Sequence, residues 1–272
     1  SFKILESRSD IGGTWDLFQY PGIRSDSDMH TLGFSFKPWT DAKAIADGPS
    51  IKSYLKETVD EYDLYPHILF DHKVMDYSWS SVSKTWTVSL LEEGREKSLS
   101  CNFLMICSGY YNYDKGYTPH IEGIENYRGT LVHPQHWPKD LEIDNKKIVV
   151  IGSGATAMTI VPNVAQRASK VTMLQRSPTY VVARPDQDAI ANFLRKWLPS
   201  KLAYSITRLK NTWLQSFMYK RMRAKPEEAK RNLIGMTRAA LNKEFDVKKH
   251  FTPSYYPWDQ RLCLLPNGDL YE

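Results

Sequence analysis

The stretch KKIVVIGSGATAMT, Lys146 to Thr159, constrains what this chain can fold into more than any other. Ile148 to Ile151 is a short β-branched run of the kind that fills a parallel strand buried on both faces, and Gly152, Gly154 and Ala157 follow in G-x-G-x-x-A spacing. The pattern predicts a strand, a tight turn and a helix start. The first glycine permits the turn, the second lets backbone N–H groups approach a pyrophosphate, and the small third residue lets helix and strand pack closely. The helix N-terminus then faces the anion. Pro162 falls where that helix should continue, and it predicts a kink or an early break. The next apolar run, Val171 to Leu174, ends in Gln175, Arg176 and Ser177. An NAD site usually carries an acid there for the ribose hydroxyls. Arg176 and Ser177 instead offer a cation and a hydroxyl to a 2′-phosphate, so the reading is NADP. The bland alternative is a glycine-rich turn beside an unrelated strand with a surface arginine; the matched strand, helix and strand periods weigh against it.

The front half carries a second, partial signal of the same type. FKILESR, Phe2 to Arg8, is a short apolar strand ending in Glu6. In a dinucleotide-binding unit a glutamate at the end of the second strand hydrogen-bonds ribose hydroxyls, and the glycine fingerprint lies about 20 residues upstream. The chain opens on Ser1, and LPNGDLYE at the other end follows a turn signal with no closing element, so truncation at both ends is expected. CNFLMICSGYYN, Cys101 to Asn112, predicts an apolar strand running into a crossing between domains, with a boundary near residue 141.

The function classes left open are narrowed by composition. The 272 residues, 42% of them hydrophobic, suffice for a sizeable core. No apolar run approaches the roughly 18 residues of a transmembrane helix, and no secretory signal is visible, so cytoplasmic residence is the default. Cys101, Cys107 and Cys263 make no C-x-x-C pair and read as buried thiols. The net charge of +5 is segmental: Arg195 to Lys249 holds 15 Lys or Arg against 4 Asp or Glu, a local +11. Leu198, Leu202, Ile206, Leu209, Trp213 and Phe217 recur there at helical spacing, which predicts a helical insertion with a basic outer face. No recognition motif accompanies the charge, so no nucleic-acid partner is expected; a solvated face is the plain reading, and peripheral contact with anionic lipid is the alternative. His133 and His136 form H-x-x-H, but no carboxylate or cysteine completes a metal site, and no metal is expected. His30, His67, His72, His120 and His250 show no constellation and read as surface or satisfied core residues.

Five segments together resemble the flavin-dependent Baeyer–Villiger monooxygenases: IGGTWDLFQYPGIRSDSDMHTLGF (Ile11 to Phe34), YRGTLVHPQHWP (Tyr127 to Pro138), GSGATA, LQRSPTYV and YPWDQRLCLLPNGDLY. The likeness covers essentially the whole chain and is greatest to the family's ethionamide-activating, prodrug-oxidising branch. Its most specific element is the fingerprint F-x-G-x-x-x-H-x-x-x-W-P, present as Tyr127, Gly129, His133, Trp137 and Pro138, with Tyr in place of the first Phe. The resemblance implies an α/β fold of two Rossmann-like dinucleotide-binding domains: an FAD domain over residues 1–141 that lacks its glycine fingerprint, and an NADPH domain over 142–272 with a basic helical insertion at about 187–250. It implies that Glu6 holds the FAD ribose, that Thr14, Trp15, Asp16 and Leu17 line the flavin, and that Val74 offers its backbone on the adenine side. Asp26 would sit near the isoalloxazine, and Arg24, Ser25 and Asp26 would also border the nicotinamide. Gly152, Ser153, Gly154, Ala155, Thr156, Ala157 and Met158, with Arg176 and Ser177, would bind the rest of NADPH. The implied chemistry uses O2 and a peroxyflavin to convert a small apolar ketone into an ester or lactone, or to oxidise thioamide or thioether sulfur. Arg261 would be the active-site cation and Asp26 its partner, while His133 would act as a hinge element rather than a proton carrier. Two alternatives stand beside this reading: a flavin N- or S-oxygenase that leaves carbonyls alone, and a non-catalytic nucleotide-binding fragment.

Overall fold

The computed structural model describes residues 1–271; Glu272, the last residue of the LPNGDLYE segment, lies outside the described residues. The regular elements run β1 (Ile4–Leu5), α1 (Thr14–Leu17), α2 (Met29–Leu32), α3 (Gly48–Glu61), β2 (Ile68–Leu69), β3 (His72–Ser80), β4 (Thr85–Glu92), β5 (Arg95–Cys101), β6 (Lys147–Ile151), α4 (Ala155–Ala165), β7 (Lys170–Leu174), β8 (Tyr180–Arg184), α5 (Ala189–Trp197), α6 (Ser200–Ala224), α7 (Pro226–Ala240), α8 (Val247–His250) and β9 (Leu262–Pro266). They fall into two compact units. One comprises Ser1–Phe18 and Pro49–His136, the other Gln19–Gly48 and Trp137–Glu272. The fingerprint Tyr127 to Pro138 therefore spans the break between units, with His133 before it and Trp137 after it.

In the first unit β1 pairs in parallel with β2, Ile4 opposite Ile68 and Leu5 opposite Leu69. The backbone of Glu6 extends this register, its N–H bonding Leu69 O and its carbonyl accepting from His72 N. β3, β4 and β5 form an antiparallel meander with β4 in the centre. Glu92 and Arg95 pair across a two-residue loop, Glu93 and Gly94, both at positive φ. That is the turn whose twist matches a tight hairpin. Val88 and Leu90 on β4 are buried, as are Ile51, Tyr54 and Thr58 on α3, spaced to share one helix face. The strand expected within Cys101 to Asn112 reaches only Cys101. Phe103, Met105 and Ile106 are irregular and exposed, because among the described residues no strand pairs with them. Cys107 is exposed rather than buried.

The second unit is organised around β6–α4–β7. β6 and β7 pair in parallel from Lys147 opposite Lys170 to Ile151 opposite Leu174. The strands lie where the apolar runs predict, but they are not buried on both faces: Val149, Ile151 and Leu174 are exposed on a two-stranded sheet that α4 covers on one side. α4 continues through Pro162 to Ala165 instead of breaking. Ile160 and Val164, on either side of the proline, are buried, and this packing outweighs the local preference. A second parallel pair, β8 with β9, encloses the helices α5 to α8 as one insertion. Met158, Val181, Val247, Phe251, Cys263 and Leu265 form a buried core cluster joining α4, both strands and α8. Segment 19–48 belongs here through its backbone: Ala44 N and Ile45 N both bond Asp186 O, at 2.7 and 2.9 Å.

Candidate dinucleotide site

The glycine turn is built as its spacing demands. Gly152 sits at φ 140°, where a side chain is strained whatever space surrounds it, and its N–H bonds Leu174 O at 2.8 Å. A Cβ at Gly152 would lie 3.8 Å from Ala157 Cβ, an ordinary contact, so the dihedral rather than crowding requires glycine there. Ser153 is buried and its hydroxyl donates to Ser177 O at 3.0 Å, tying the turn to the end of β7. Gly154 caps α4 and no side chain accepts from the first helical turn. The first N–H groups of α4 therefore have no side-chain partner and point outward, a ready anion site. Met158 is buried in the core, so only its backbone could serve a ligand.

At the end of β7, Arg176 is exposed and makes no hydrogen bond or ion pair among the described residues. Ser177 is half-buried and spends its carbonyl on Ser153. The free guanidinium suits a phosphate.

Loop 20–26 closes on the same helix. Tyr20, Pro21, Gly22 and Ile23 form a turn with Ile23 N bonded to Tyr20 O at 3.2 Å and Gly22 at φ 75°, the proline–glycine pattern of a type II turn. A Cβ at Gly22 would stand 2.1 Å from Asn163 Nδ2 on α4. Tyr20 is buried, which pushes its phenol up, and its hydroxyl meets the Thr156 side chain in the first turn of α4. Tyr20 and Asn163 are absent from the sequence-based site, since neither carries a local signal of these contacts. Arg24 forms an ion pair with Asp269, and Ser25 is buried, exchanging hydrogen bonds with the backbone of Ala46. Asp26 is exposed.

Arg261 directly precedes β9. Its Cδ comes within 4.0 Å of a Cβ built on Gly154, so this exposed arginine stands beside the glycine turn. Asp26 and Arg261 form no ion pair among the described residues, contrary to the expected partnership. Both charges nevertheless act on buried Cys263, whose thiol burial pushes up to about 11. The loop before Arg261 is held by the insertion: Asp259 pairs with Arg223, Tyr256 donates to Glu227 at 2.7 Å, and Lys230 donates to Pro253 O at 2.6 Å. Trp258 in that loop is held at φ 71°, a strained position for a tryptophan.

In the first unit, Glu6 receives the Arg8 N–H on Oε1 at 2.9 Å. Thr14, Trp15, Asp16 and Leu17 make up α1, entered through Gly12 and Gly13 at positive φ. Asp16 pairs with Arg8 and Lys52, and these partners hold its carboxyl below the usual range despite burial pulling the other way. Val74 is exposed on β3 beside a bulge between Val74 and Asp76. His133 is half-buried against Gly116, where a Cβ would lie 2.0 Å from its Cε1, and its Nδ1 accepts from Gln135 N at 3.2 Å. Gly129 is equally committed, because a Cβ there would lie 2.3 Å from the Tyr127 hydroxyl. Among the described residues no cluster of His, Cys, Asp or Glu could hold a metal ion. His30 is buried with Nδ1 unpaired, which corrects the expectation that core histidines are satisfied.

Residues 34–250 match the flavin-binding monooxygenase-like family. The chain belongs to this family. Its whole length is 53% identical to FAD-containing monooxygenase EthA of Mycobacterium tuberculosis and covers 56% of that protein. It also resembles Probable FAD-binding monooxygenase AlmA of Acinetobacter baylyi, at 48% identity over the whole chain and 55% of the relative. The chain thus spans about half the length of these curated members of the family. Among solved structures, an oxidized steroid monooxygenase bound to NADP shares 29% identity with a TM-score of 0.62, over 75% of this chain and 38% of the other. OTEMO in complex with FAD and NADP shares the fold over 98% of this chain and 58% of the other, with a TM-score of 0.71 and 20% identity.

Proposed function

We propose that the full-length protein is an FAD- and NADPH-dependent monooxygenase that inserts one oxygen atom from O2 into a small apolar ketone or onto thioamide or thioether sulfur. The observation that carries the reading is the uncapped N-terminus of α4 flanked by two exposed arginines, Arg176 and Arg261. FAD, when bound and reduced by NADPH, would supply the electrons for O2 reduction, with one oxygen atom ending in the substrate and the other in water. The chain's own residues do the rest. The N–H groups of Ala155, Thr156 and Ala157 bind the pyrophosphate of NADPH, and Arg176 with Ser177 takes its 2′-phosphate. Arg261 holds developing negative charge beside the nicotinamide end, and Asp26, on loop 20–26, borders the nicotinamide. Glu6, the α1 segment and the backbone of Val74 serve FAD. His133 lies three residues before the break between units and acts on domain motion rather than as an acid or base.

The test uses the full-length protein. Arg176→Ala raises KM for NADPH by roughly 10- to 100-fold and leaves KM for NADH unchanged, as expected for loss of one charge-assisted phosphate contact. An equal change for both nucleotides would remove the 2′-phosphate role. Incubation with a simple ketone and with a thioamide under labelled O2 then reads the reaction class. Ester or lactone with one labelled oxygen supports the proposal; sulfur oxidation alone narrows it to an S-oxygenase, and neither product overturns it.

A further inference from the structure

The helical insertion is amphipathic in the inverse sense. An ordinary surface helix turns its apolar stripe to the core. On α6 the stripe Leu202, Ile206, Leu209, Trp213 and Phe217 points to solvent, with exposures between 41% and 73%, and the Trp213 and Phe217 rings stack at 5.5 Å. The opposite face docks, and it does so with polar groups. Tyr204 donates to Phe34 O, Arg208 donates to the carbonyls of His30, Thr31 and Gly33, and Asn211 and Gln215 donate to Asp28. α5 repeats the arrangement: Ile190, Phe193 and Trp197 lie on one face and are 53%, 61% and 75% exposed.

Charge accompanies the exposed face. From Ala189 to Lys225 there are nine Lys or Arg and no Asp or Glu. Lys196, Lys201 and Lys220 are exposed, and their ammonium groups make no hydrogen bond or ion pair among the described residues. No helix is long and apolar enough to cross a membrane. Apolar and tryptophan side chains between unneutralised cations, on a helix pair that cannot span, match the chemistry of an anionic lipid surface.

We propose that α5 and α6 seat the protein on anionic lipid, with Phe193, Trp197, Trp213 and Phe217 entering the headgroup boundary and Lys196, Lys201 and Lys220 meeting the lipid phosphates. The proposal is independent of which substrate the enzyme oxidises. It is tested by sedimenting the full-length protein with vesicles of phosphatidylcholine alone or mixed equally with phosphatidylglycerol. The protein co-sediments with the anionic vesicles and stays in solution with the neutral ones. The double variant Trp213→Ala/Phe217→Ala binds about tenfold more weakly, in keeping with loss of buried apolar area. The triple variant Lys196→Gln/Lys201→Gln/Lys220→Gln loses the preference for anionic vesicles, and both variants oxidise NADPH at the wild-type rate. These residues are exposed, and unchanged melting temperatures show that folding is intact. Failure of the wild-type protein to sediment, or variants that bind as tightly as it does, overturns the proposal. So does an oligomer that the Trp213 variant dissociates in the absence of vesicle binding, which would assign the face to a second copy.

Discussion

Replacing Gly22 by alanine tests how loop 20–26 is held on α4. The new Cβ would lie 2.1 Å from Asn163 Nδ2 and 2.4 Å from Asn163 Cγ, too close to exist without movement. The cheapest escape is rotation of the Asn163 side chain, which breaks its 2.8 Å hydrogen bond to Thr159 O. That loss is worth about 0.5–1.5 kcal/mol. Alanine at φ 75° adds about 1–2 kcal/mol of left-handed strain. Gly22→Ala should therefore destabilise by roughly 1.5–3.5 kcal/mol. Asn163→Ala loses the same hydrogen bond, and its helix-propensity gain enters the single and double variants alike. In the double variant Gly22→Ala/Asn163→Ala the hydrogen bond is lost once, not twice. The two effects must then fall short of additivity by about 0.5–1.5 kcal/mol. Guanidinium unfolding followed by tryptophan fluorescence measures all three. Additivity within about 0.5 kcal/mol would show that Gly22 and Asn163 are not in contact and would refute the placement of the loop.

Cys263 supplies a pH prediction. Burial raises its thiol from 9.0 to about 11, so the folded state keeps a proton that the unfolded chain releases; the stability of about 2–3 kcal/mol is complete below pH 9 and is lost as pH rises toward 11. Cys263→Ser or →Ala should flatten that slope in a melting series, and a thiol reagent at pH 8 should modify exposed Cys107 well before Cys263. Lys52 joins Asp10 and Asp16, and its hydrogen bond is the largest cause holding Asp10 down at about 2. Depressed carboxyls stabilise above pH 4 and lose that contribution as pH falls toward 2. Lys52→Met should cost about 1 kcal/mol at pH 7, a figure kept small because Asp10 is partly exposed, and should shrink the acid-induced loss between pH 4 and pH 2 in denaturant titrations. Arg208→Met strips a donor from three carbonyls and should destabilise by about 2 kcal/mol in the same assay; no change would mean that α6 docks without it.

The parts of the fold legible in the sequence are those fixed within a few residues. The turn at Gly152, the strands on either side of it and the start of α4 all depend on local dihedrals and period. Direction is different. Helical spacing at Leu202, Ile206, Leu209, Trp213 and Phe217 predicts a stripe, but periodicity is blind to which way a stripe faces. Here the docking of Arg208 and Asn211 on segment 28–34 turns the apolar stripe outward, beside the exposed lysines, rather than toward the core. The same blindness explains Val149 and Ile151, whose β-branched run reads as doubly buried while the two-stranded sheet leaves them exposed. Tyr20 and Asn163 were invisible because their contacts join positions more than a hundred residues apart.

Geometry also sorts residues that resemblance alone treats alike. A polar group can serve a ligand only if its own hydrogen-bonding capacity is not already committed, because breaking an internal charge pair costs as much as the new contact returns. By that measure the side chains of Asp16, Arg24 and Ser25 are committed to the fold, to Lys52 and Arg8, to Asp269 and to Ala46 respectively. Any contact of these residues with a cofactor would then be through the backbone. Arg176, Asp26 and Arg261 are exposed and uncommitted among the described residues. His133 falls between, with Nδ1 occupied by Gln135 N and its ring fixed on Gly116, so it is held in place and suited to transmit movement. The chemistry of the site therefore rests on few side chains. Substitution of Asp16 or Ser25 should register first as lost stability, whereas substitution of Arg176 or Arg261 should register in nucleotide kinetics with the fold intact, and a reversal of that order would mean that the committed groups release their partners when the nucleotide binds.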